Sequence, residues 1–532
     1  MDQTRQVTMA RHGLVSAPHY LASQAGVRIM MAGGNAVDAA IAANAVLNVV
    51  YPFVCGTGGD LFMLLYDAKT DTLQGLNASG RAPAAATPEW FQANGYKKIP
   101  QRGILSVSIP GAVDGWQMAS ERYGRLGLAR CLEPAITYAE EGFGVGYTLS
   151  ASIKAVMALP DIHSSWLDVY APGGKAPEPG DILKVPELGR SLRLIAEQGR
   201  DVFYKGEIAK AFAAFSESLG GLITEEDLAE HHGEWVDPLS IDYRGYRIYE
   251  LPPNTHGLTA LQMIKLLEGF NLSQDPFDPA NIHLQVEAKK LAFADRDYYI
   301  TDAQHMKLEA AHLLNENYLA KRRKLIDPQR AMETIAPGKV DGDTIYLCAA
   351  DGDGNAVSLI QSNYMGIGSG LVVPGYGIEL QNRGCYFSLD PNHANVIAPR
   401  KRTMHTLIPS MAFRNDRPAI VFGTMGGDGQ PQIHQQVYNN LIDYGLNIQA
   451  AIDAPRWIHG RGFPDEPYER LFMEGRFPKA TQERLAQMGH AVSETMNFNR
   501  TMGYAQGIVI NQQNGLLMGG ADPRADSAAI GW

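Results

Sequence analysis

Two hydrophobic rhythms divide the chain into helices and strands. From Ala36 to Val50 almost every position is small or aliphatic, with Val37, Ile41, Ala45 and Asn48 on one helical face. Gly33-Gly34-Asn35 ends the preceding element and caps this one. So much alanine predicts a helix that lies close to neighbouring backbones. Leu61-Phe62-Met63-Leu64-Leu65-Tyr66 fits a buried strand, and Asp71-Thr72-Leu73 starts a second hairpin arm. In the middle, Pro186 to Gln198, Gly206 to Leu219 and His283 to Ile300 follow the helical period. Thr224-Glu225-Glu226-Asp227 reads as a helix start, with threonine as cap and acids on the positive end of the dipole. Leu239 to Leu251 alternates as paired strands around Arg244-Gly245.

Asp327 to Asp343 is largely polar, contains Pro328 and Pro337, and predicts an exposed connection. Beyond it the pattern shifts to short strands with glycine turns. Thr344 to Ala350 is strand-like, Asp351-Gly352-Asp353-Gly354-Asn355 is a tight turn, and Ala356 to Ser362 is a second run. A helix follows around Gln432 to Asp443, and Gln506 to Asn511 with Gly515 to Gly519 forms a last strand pair. Strand pairs flanked by helices predict a layered α/β (α+β) sandwich with largely antiparallel sheets.

At 532 residues, 45% hydrophobic and 19% charged, the chain is long enough for one large unit or several domains. A formal charge of -11 argues against nucleic acid or an anionic membrane as the main partner. Within that acidity, Lys321-Arg322-Arg323-Lys324 reads as a solvated helix face. The first residues lack the apolar core of a signal peptide, and no apolar stretch of about 18 residues occurs. Cys55, Cys131, Cys348 and Cys385 are far apart without C-x-x-C spacing; Cys348 reads as a small buried hydrophobe. These features predict a soluble, cytoplasmic protein.

Thr344 offers the most specific chemistry. A threonine hydroxyl needs a base within hydrogen-bond reach, and a free α-amino group on the same residue, with pKa of about 7.7–8.0, can serve. Cleavage of the Asp343–Thr344 bond would create that base. Locally, Gly342-Asp343-Thr344 also reads as a polar turn entering an ordinary strand. Gly423-Thr424-Met425-Gly426-Gly427-Asp428 follows the strand-like Ala419 to Phe422. Its glycines either aim two N–H groups at one point, as an oxyanion site requires, or form a plain turn. Asp351 to Asn355 begins like a calcium loop, but Ala356 and Ser362 occupy its sixth and twelfth places, so a hairpin turn fits better. Gly366-Ile367-Gly368-Ser369-Gly370 lacks the dinucleotide spacing and reads as a flexible loop beside a pocket. His231, His232, His283, His393, His405 and His434 form no metal-ligand motif, and no nucleophile elbow or phosphate loop is present.

Taken together, ordered blocks along the chain resemble the γ-glutamyltransferase family of amino-terminal-nucleophile (Ntn) hydrolases. They include Gly33 to Ala40, Gly56 to Asp60, Ile109 to Val113, Leu291 to Arg296, Asp353 to Val357, Asp443 to Asn447, Ala454-Pro455-Arg456 and Asp522-Pro523-Arg524. The resemblance implies a four-layer αββα sandwich and self-cleavage into segments 1–343 and 344–532, paired as a heterodimer. It also implies Thr344 as nucleophile, Ser362 as its orienting hydroxyl, Gly426 and Gly427 as the oxyanion pair, and no metal or organic cofactor.

The departures concern substrate. Where transpeptidases carry an arginine in an R-E-x-A-P segment for the substrate α-carboxylate, this chain reads Ser79-Gly80-Arg81-Ala82-Pro83. The family's paired serines become His405 and Thr406, an asparagine becomes Tyr364, and the ammonium-binding acids become Arg383 and Tyr386. A guanidinium in place of an acid reverses the preferred charge and favours a simple carboxylate. The segment from Phe387 to Lys401 is short where transpeptidases carry a lid. The pattern is similar to the branch of oxamate amidohydrolases, acting in purine-derived nitrogen use, and of glutaryl-cephalosporin acylase-like proteins. It implies hydrolysis of a small anionic amide, oxamate first. A γ-glutamyl hydrolase or transpeptidase with an altered pocket, or a non-catalytic binding protein on the same fold, stand as alternatives.

Overall fold

The structure is a computed structural model that describes residues 3–160, 162–332, 343–460 and 470–532. Two seven-stranded antiparallel sheets form its centre. In one, the order is Ala528–Gly531, Gly13–Ala17, Asp343–Asp351, Ala356–Tyr364, Asp60–Asp67, Thr72–Ala78, Glu234–Val236. In the other it is Thr8–Ala10, Leu517–Ala521, Ala505–Ile510, Arg417–Thr424, Ser410–Arg414, Tyr246–Glu250, Leu239–Tyr243.

Three apolar clusters define the layers. Phe62, Leu64, Tyr346, Ile360, Met411, Val421 and Ile508 interdigitate between the sheets. On the outer face of the first sheet, Val15, Leu61, Met63, Leu347 and Leu359 pack against the helices Tyr20–Met31, Ala36–Val50 and Leu128–Glu141. On the outer face of the second, Ala412, Ile420 and Phe422 meet Gly257–Leu267, Pro279–Tyr299 and Gln430–Tyr438. Alternation of apolar residues to opposite faces of each strand is what lets both sheets be covered twice. The predicted αββα sandwich is the observed one.

Ala36–Val50 is helical over the predicted span and wholly buried, and Asn35 and Asp38 close a capping box at its start. Asp351 ties this helix to the central hairpin: its carboxylate accepts from Ala36 N–H at 2.9 Å and from Asp353 and Asn355 N–H at 3.0 Å each. Those bonds account for the acidic turn as a hairpin connection. The helix predicted from His283 begins at Pro279, where Asp278 caps it and proline occupies the first turn. The glycine loop 366–370 is largely buried and held to Leu380 O by Ser369 N–H (2.9 Å) and Oγ (2.8 Å), so it is packed where the sequence predicted a flexible segment.

The basic run at 321–324 also departs from expectation. Arg322 donates to Asp295 at 2.6 Å and Arg323 to the carbonyls of Leu266 (3.0 Å) and Lys265 (3.2 Å), so two of the four cations anchor this helix to its neighbours. Of the predicted connection, Asp327 to Arg330 are exposed; 333–342 lie outside the described residues. Among the described residues no helix is long and apolar enough to cross a membrane. All four cysteines are free, and Cys348 is fully buried.

Candidate active site

Thr344 is the second residue of the strand Asp343–Asp351 and is fully buried. Its register carries a bulge: Asp343 pairs with Tyr364 and Ile345 with Gln361, so Ser362 and Asn363 together oppose the single Thr344. An extra residue in one strand turns side chains out of the regular pleat. Here it brings Ser362 Oγ to accept the Thr344 Oγ1 hydrogen at 3.2 Å, while Tyr364 N–H donates to the same Ser362 oxygen at 2.7 Å. The serine oxygen therefore accepts from both the threonine hydroxyl and the Tyr364 backbone. Tyr364 follows with φ +82°, a left-handed conformation unusual for an aromatic residue.

The opposite sheet brings in the glycine pair. Gly423, near the end of Arg417–Thr424, lies against the ring of Tyr346; a Cβ there would come within 2.4 Å of it. This close approach sets the end of that strand over the start of Thr344's strand. The chain then turns through Gly426 (φ +135°) and Gly427 (φ +52°) into Gly427–Gly429 and the helix Gln430–Tyr438. Two successive left-handed residues at a helix entrance form a concave row of N–H groups suited to an anion.

Behind this turn stand supports that single motifs do not reveal. Asp428 accepts from Arg296 at 2.8 Å, both being buried, and so ties the glycine turn to Pro279–Tyr299. Arg456 donates to Met502 O at 3.1 Å and Gly503 O at 2.8 Å, and Met425 N–H donates to Tyr504 O at 3.2 Å. Arg456 is itself paired with Asp522 at 2.6 Å, and Arg524 with Glu474 at 2.7 Å. The sequence-distant blocks Ala454-Pro455-Arg456 and Asp522-Pro523-Arg524 thus form one buried ionic frame under the loop that carries the glycines.

Of the residues expected to bind substrate, Thr406, Tyr364 and Tyr386 gather around Arg383. Arg383 is fully buried; Nη1 donates to Thr406 Oγ1 at 3.2 Å, and its guanidinium carbon lies 3.8 Å from the Tyr364 ring centroid. Tyr386 packs on Tyr364 with centroids 5.5 Å apart. Arg383 Nε and Nη2 are buried and meet no acceptor among the described residues. Burial shifts the guanidinium toward its neutral form, opposed by Tyr364 and Asp60.

His405 does not meet Arg383 directly. Its Nε2 donates to Asp60 Oδ2 at 3.0 Å, while Nδ1 receives Leu407 N–H at 3.4 Å. This is the neutral tautomer, in keeping with burial, and secondarily Arg383, holding the imidazole well below its ordinary range. Asp60 Oδ1 accepts from Gly80 N–H at 2.8 Å and Gln381 Nε2 at 2.9 Å. Burial pushes the Asp60 carboxyl up to about 6, against Gln381 and Arg383. Asp60 pairs directly across from Ser362, so three adjacent strands carry Thr344, Ser362 and Asp60 side by side.

Arg81 is placed elsewhere. It pairs with Glu234 at 2.5 Å and donates to His232 O at 3.1 Å; Glu234 also holds Arg402 at 2.9 Å. The two guanidinium groups share this one carboxylate. Burial would raise Glu234, but Arg402 and then Arg81 outweigh it and hold the carboxyl below its usual range. Sequence reasoning also missed His283, Glu287 and His490, whose potential ligand atoms lie within 4.8 Å of one another. His283 Nε2 faces Asp327 O at 2.7 Å and Nδ1 faces His490 Nε2 at 2.8 Å, with Lys290 on Glu287 at 2.8 Å. His283 and His490 thus share a hydrogen bond, and Glu287 is ion-paired with Lys290.

A two-sheet αββα sandwich that buries a threonine beside a serine acceptor, on one of its two central sheets, is the architecture of an Ntn hydrolase. The gamma-glutamyltranspeptidase family model matches residues 22–532, and the chain belongs to that family. It is 42% identical over 97% of its length to a glutathione hydrolase-like proenzyme of Bacillus subtilis, covering 98% of that relative. It is 38% identical over 98% of its length to an oxamate amidohydrolase proenzyme of Klebsiella pneumoniae, covering 99% of it. A cephalosporin acylase structure from Bacillus halodurans superposes with a TM-score of 0.94 at 43% identity, covering 100% of this chain and 98% of that one. The protein is an enzyme of the amidohydrolase and acylase type that hydrolyses amide bonds.

Proposed function

We propose that this chain cuts itself between Asp343 and Thr344 and then hydrolyses a small carboxylate-bearing amide, with oxamate, giving oxalate and ammonia, as the leading substrate. In the first step Thr344 Oγ1 attacks the Asp343 carbonyl, the acyl group moves from nitrogen to oxygen, and water opens the ester. Segments 1–343 and 344–532 stay together as a heterodimer, because Asp343–Asp351 and its flanking strands belong to one sheet built from both.

In turnover, the freed Thr344 amine takes the hydroxyl proton as Oγ1 attacks the substrate amide. Gly426 and Gly427 N–H groups receive the oxyanion. The amine returns its proton to the departing nitrogen, ammonia leaves, and water hydrolyses the acyl-threonine by the same route reversed. Ser362 aims Oγ1 throughout. The setting we propose is cytoplasmic.

One observation carries the substrate class: Arg383 is a buried guanidinium with two nitrogens that meet no acceptor among the described residues. A buried unmet donor costs about 1–3 kcal/mol, so a site that retains one is built for an acceptor that arrives from outside. Thr406, Tyr364 and Tyr386 wall that position, leaving the planar edge for a carboxylate. Arg81 is held by Glu234, which it shares with Arg402, and is not the ligand's partner in this reading.

The glutathione hydrolase-like relative supports a second reading, hydrolysis of a γ-glutamyl amide. A panel of oxamate, glutaryl amides and γ-glutamyl amides, with release of ammonia or amine measured on the processed enzyme, separates the two. Oxamate or a glutaryl amide turned over best supports the proposal; equal or better turnover of γ-glutamyl amides replaces it with the second reading.

A further inference from the structure

The proposed site contains its own anion, and its position predicts which ligands the site holds and which it releases. Asp60 is wholly buried on the strand next to Ser362. Three donors fix its carboxylate: Gly80 N–H at 2.8 Å, Gln381 Nε2 at 2.9 Å and His405 Nε2 at 3.0 Å. None of these carries a formal charge, since His405 is neutral. The cations that face it are Arg383 and Arg402, and Tyr204 feels its charge from the helical side. Arg402 is already paired with Glu234 at 2.9 Å. Among the described residues Arg383 has no ion pair, and Asp60 is a carboxylate within its electrostatic reach. Thr406, which accepts from Arg383, is the residue after His405, which holds Asp60; one short segment therefore fixes the distance between guanidinium and carboxylate.

Hydrolysis of a carboxylate-bearing amide converts a monoanion into a dianion, because the neutral amide becomes a second carboxylate. We propose that Asp60, clamped by His405 and Gln381, is a specificity-determining residue that lets Arg383 hold one substrate carboxylate but repels a second, favouring the monoanionic amide over its dianionic product. The proposal rests on the carboxylate-amide reading of the site. When a dianion is forced into the pocket, Asp60 takes a proton from solvent and the repulsion is relieved. Burial already brings that carboxyl up to about 6, so the proton is available just below neutrality.

The test compares product and substrate as ligands of the processed enzyme. Oxamate serves as the monoanion and oxalate as the dianion, each as a competitor against the best-hydrolysed amide, from pH 5.5 to 7.5. In the wild type, the ratio of dianion to monoanion inhibition constants should widen at least about ten-fold as pH rises and Asp60 ionises. In Asp60→Asn, which keeps an oxygen for Gly80 and Gln381, the ratio should be small and flat with pH. A wild-type ratio that does not change with pH overturns the proposal without any variant. So does an Asp60→Asn enzyme that weakens both classes equally, which is what a purely structural residue would do. Arg383→Met keeps the two levels apart: if neither class loses affinity in that variant, the carboxylate site itself is wrong; if both do while discrimination survives in Asp60→Asn, only the role of Asp60 falls.

Discussion

Replacing Arg383 by methionine should separate binding from stability in a way that a structural arginine cannot. The substitution removes one hydrogen bond, to Thr406 at 3.2 Å, and the stacking on Tyr364 at 3.8 Å. A charged hydrogen bond contributes about 1.5–3 kcal/mol and a desolvated cation–π contact about 1–2 kcal/mol. Against this, two buried donors without acceptors disappear, at about 1–3 kcal/mol each. The two sides nearly cancel, so the unliganded fold should change by no more than about 1 kcal/mol. Carboxylate binding, in contrast, loses a charged hydrogen bond of about 1.5–3 kcal/mol, which is roughly a 10- to 150-fold rise in KM. Arg524→Met is the control. Arg524 meets Glu474 through Nε and Nη2 at 2.7 Å each and Asp522 at 3.2 Å, so its loss strands buried carboxylates and should cost about 3–5 kcal/mol. Denaturant unfolding and steady-state kinetics on the processed proteins measure both quantities. A loss of about 3 kcal/mol or more in Arg383→Met, with KM unchanged, would refute the reasoning and make Arg383 a structural residue.

Other expectations follow from the same geometry. Ser362→Ala removes the acceptor that aims Thr344 Oγ1, so kcat should fall about 10²-fold with little change in KM, read by single-turnover kinetics on processed enzyme. Gly427→Ala places a side chain at φ +52° and disturbs the oxyanion row; kcat should drop about 10²–10³-fold while Arg383-dependent inhibition by carboxylates persists. The pH profile of kcat/KM should rise through about 7.7–8.0 as the Thr344 amine loses its proton, and a profile flat from 6 to 9 would remove that amine as the base. Glu379 is buried, accepts from Trp166 at 2.8 Å and Asn363 at 3.1 Å, and burial holds its carboxyl well above the usual range. Its protonated form is the one favoured by folding, so its contribution is greatest at low pH and is lost as pH rises from about 4 toward the folded pKa. Glu379→Gln should therefore gain stability relative to wild type between pH 5 and 7, and an unchanged difference across that range would show Glu379 to be ionised.

Much of the fold was legible where local signals agree with burial. The helix Ala36–Val50 has its cap, its box and its apolar run in the same place, so prediction and structure coincide. The central hairpin was equally readable, because an acidic glycine turn separates two apolar runs. The first turn of Pro279–Tyr299 was not, since it is polar and carries its signal only in Asp278-Pro279. Arg322 and Arg323 look like surface charges in sequence, and only the neighbouring helices reveal the carbonyls and the Asp295 that bind them. In the site, Thr344 and Ser362 are 18 residues apart, and the bulge that joins them has no sequence signature. Asp60 and His405 are separated by 345 residues, and no spacing rule connects them. Arg383 was visible as a charge reversal against the family pattern; that its edge lacks an acceptor emerges only from packing.

Intact-mass measurement of the purified enzyme, denatured before and immediately after mixing with the best amide of the panel, tests Thr344 most directly. The account predicts two chains, 1–343 and 344–532, with a transient acyl mass on the second that maps to Thr344. Thr344→Ala should remain a single uncut chain with no adduct. A wild-type chain that stays whole while active, or an alanine variant that still splits before residue 344, would contradict it.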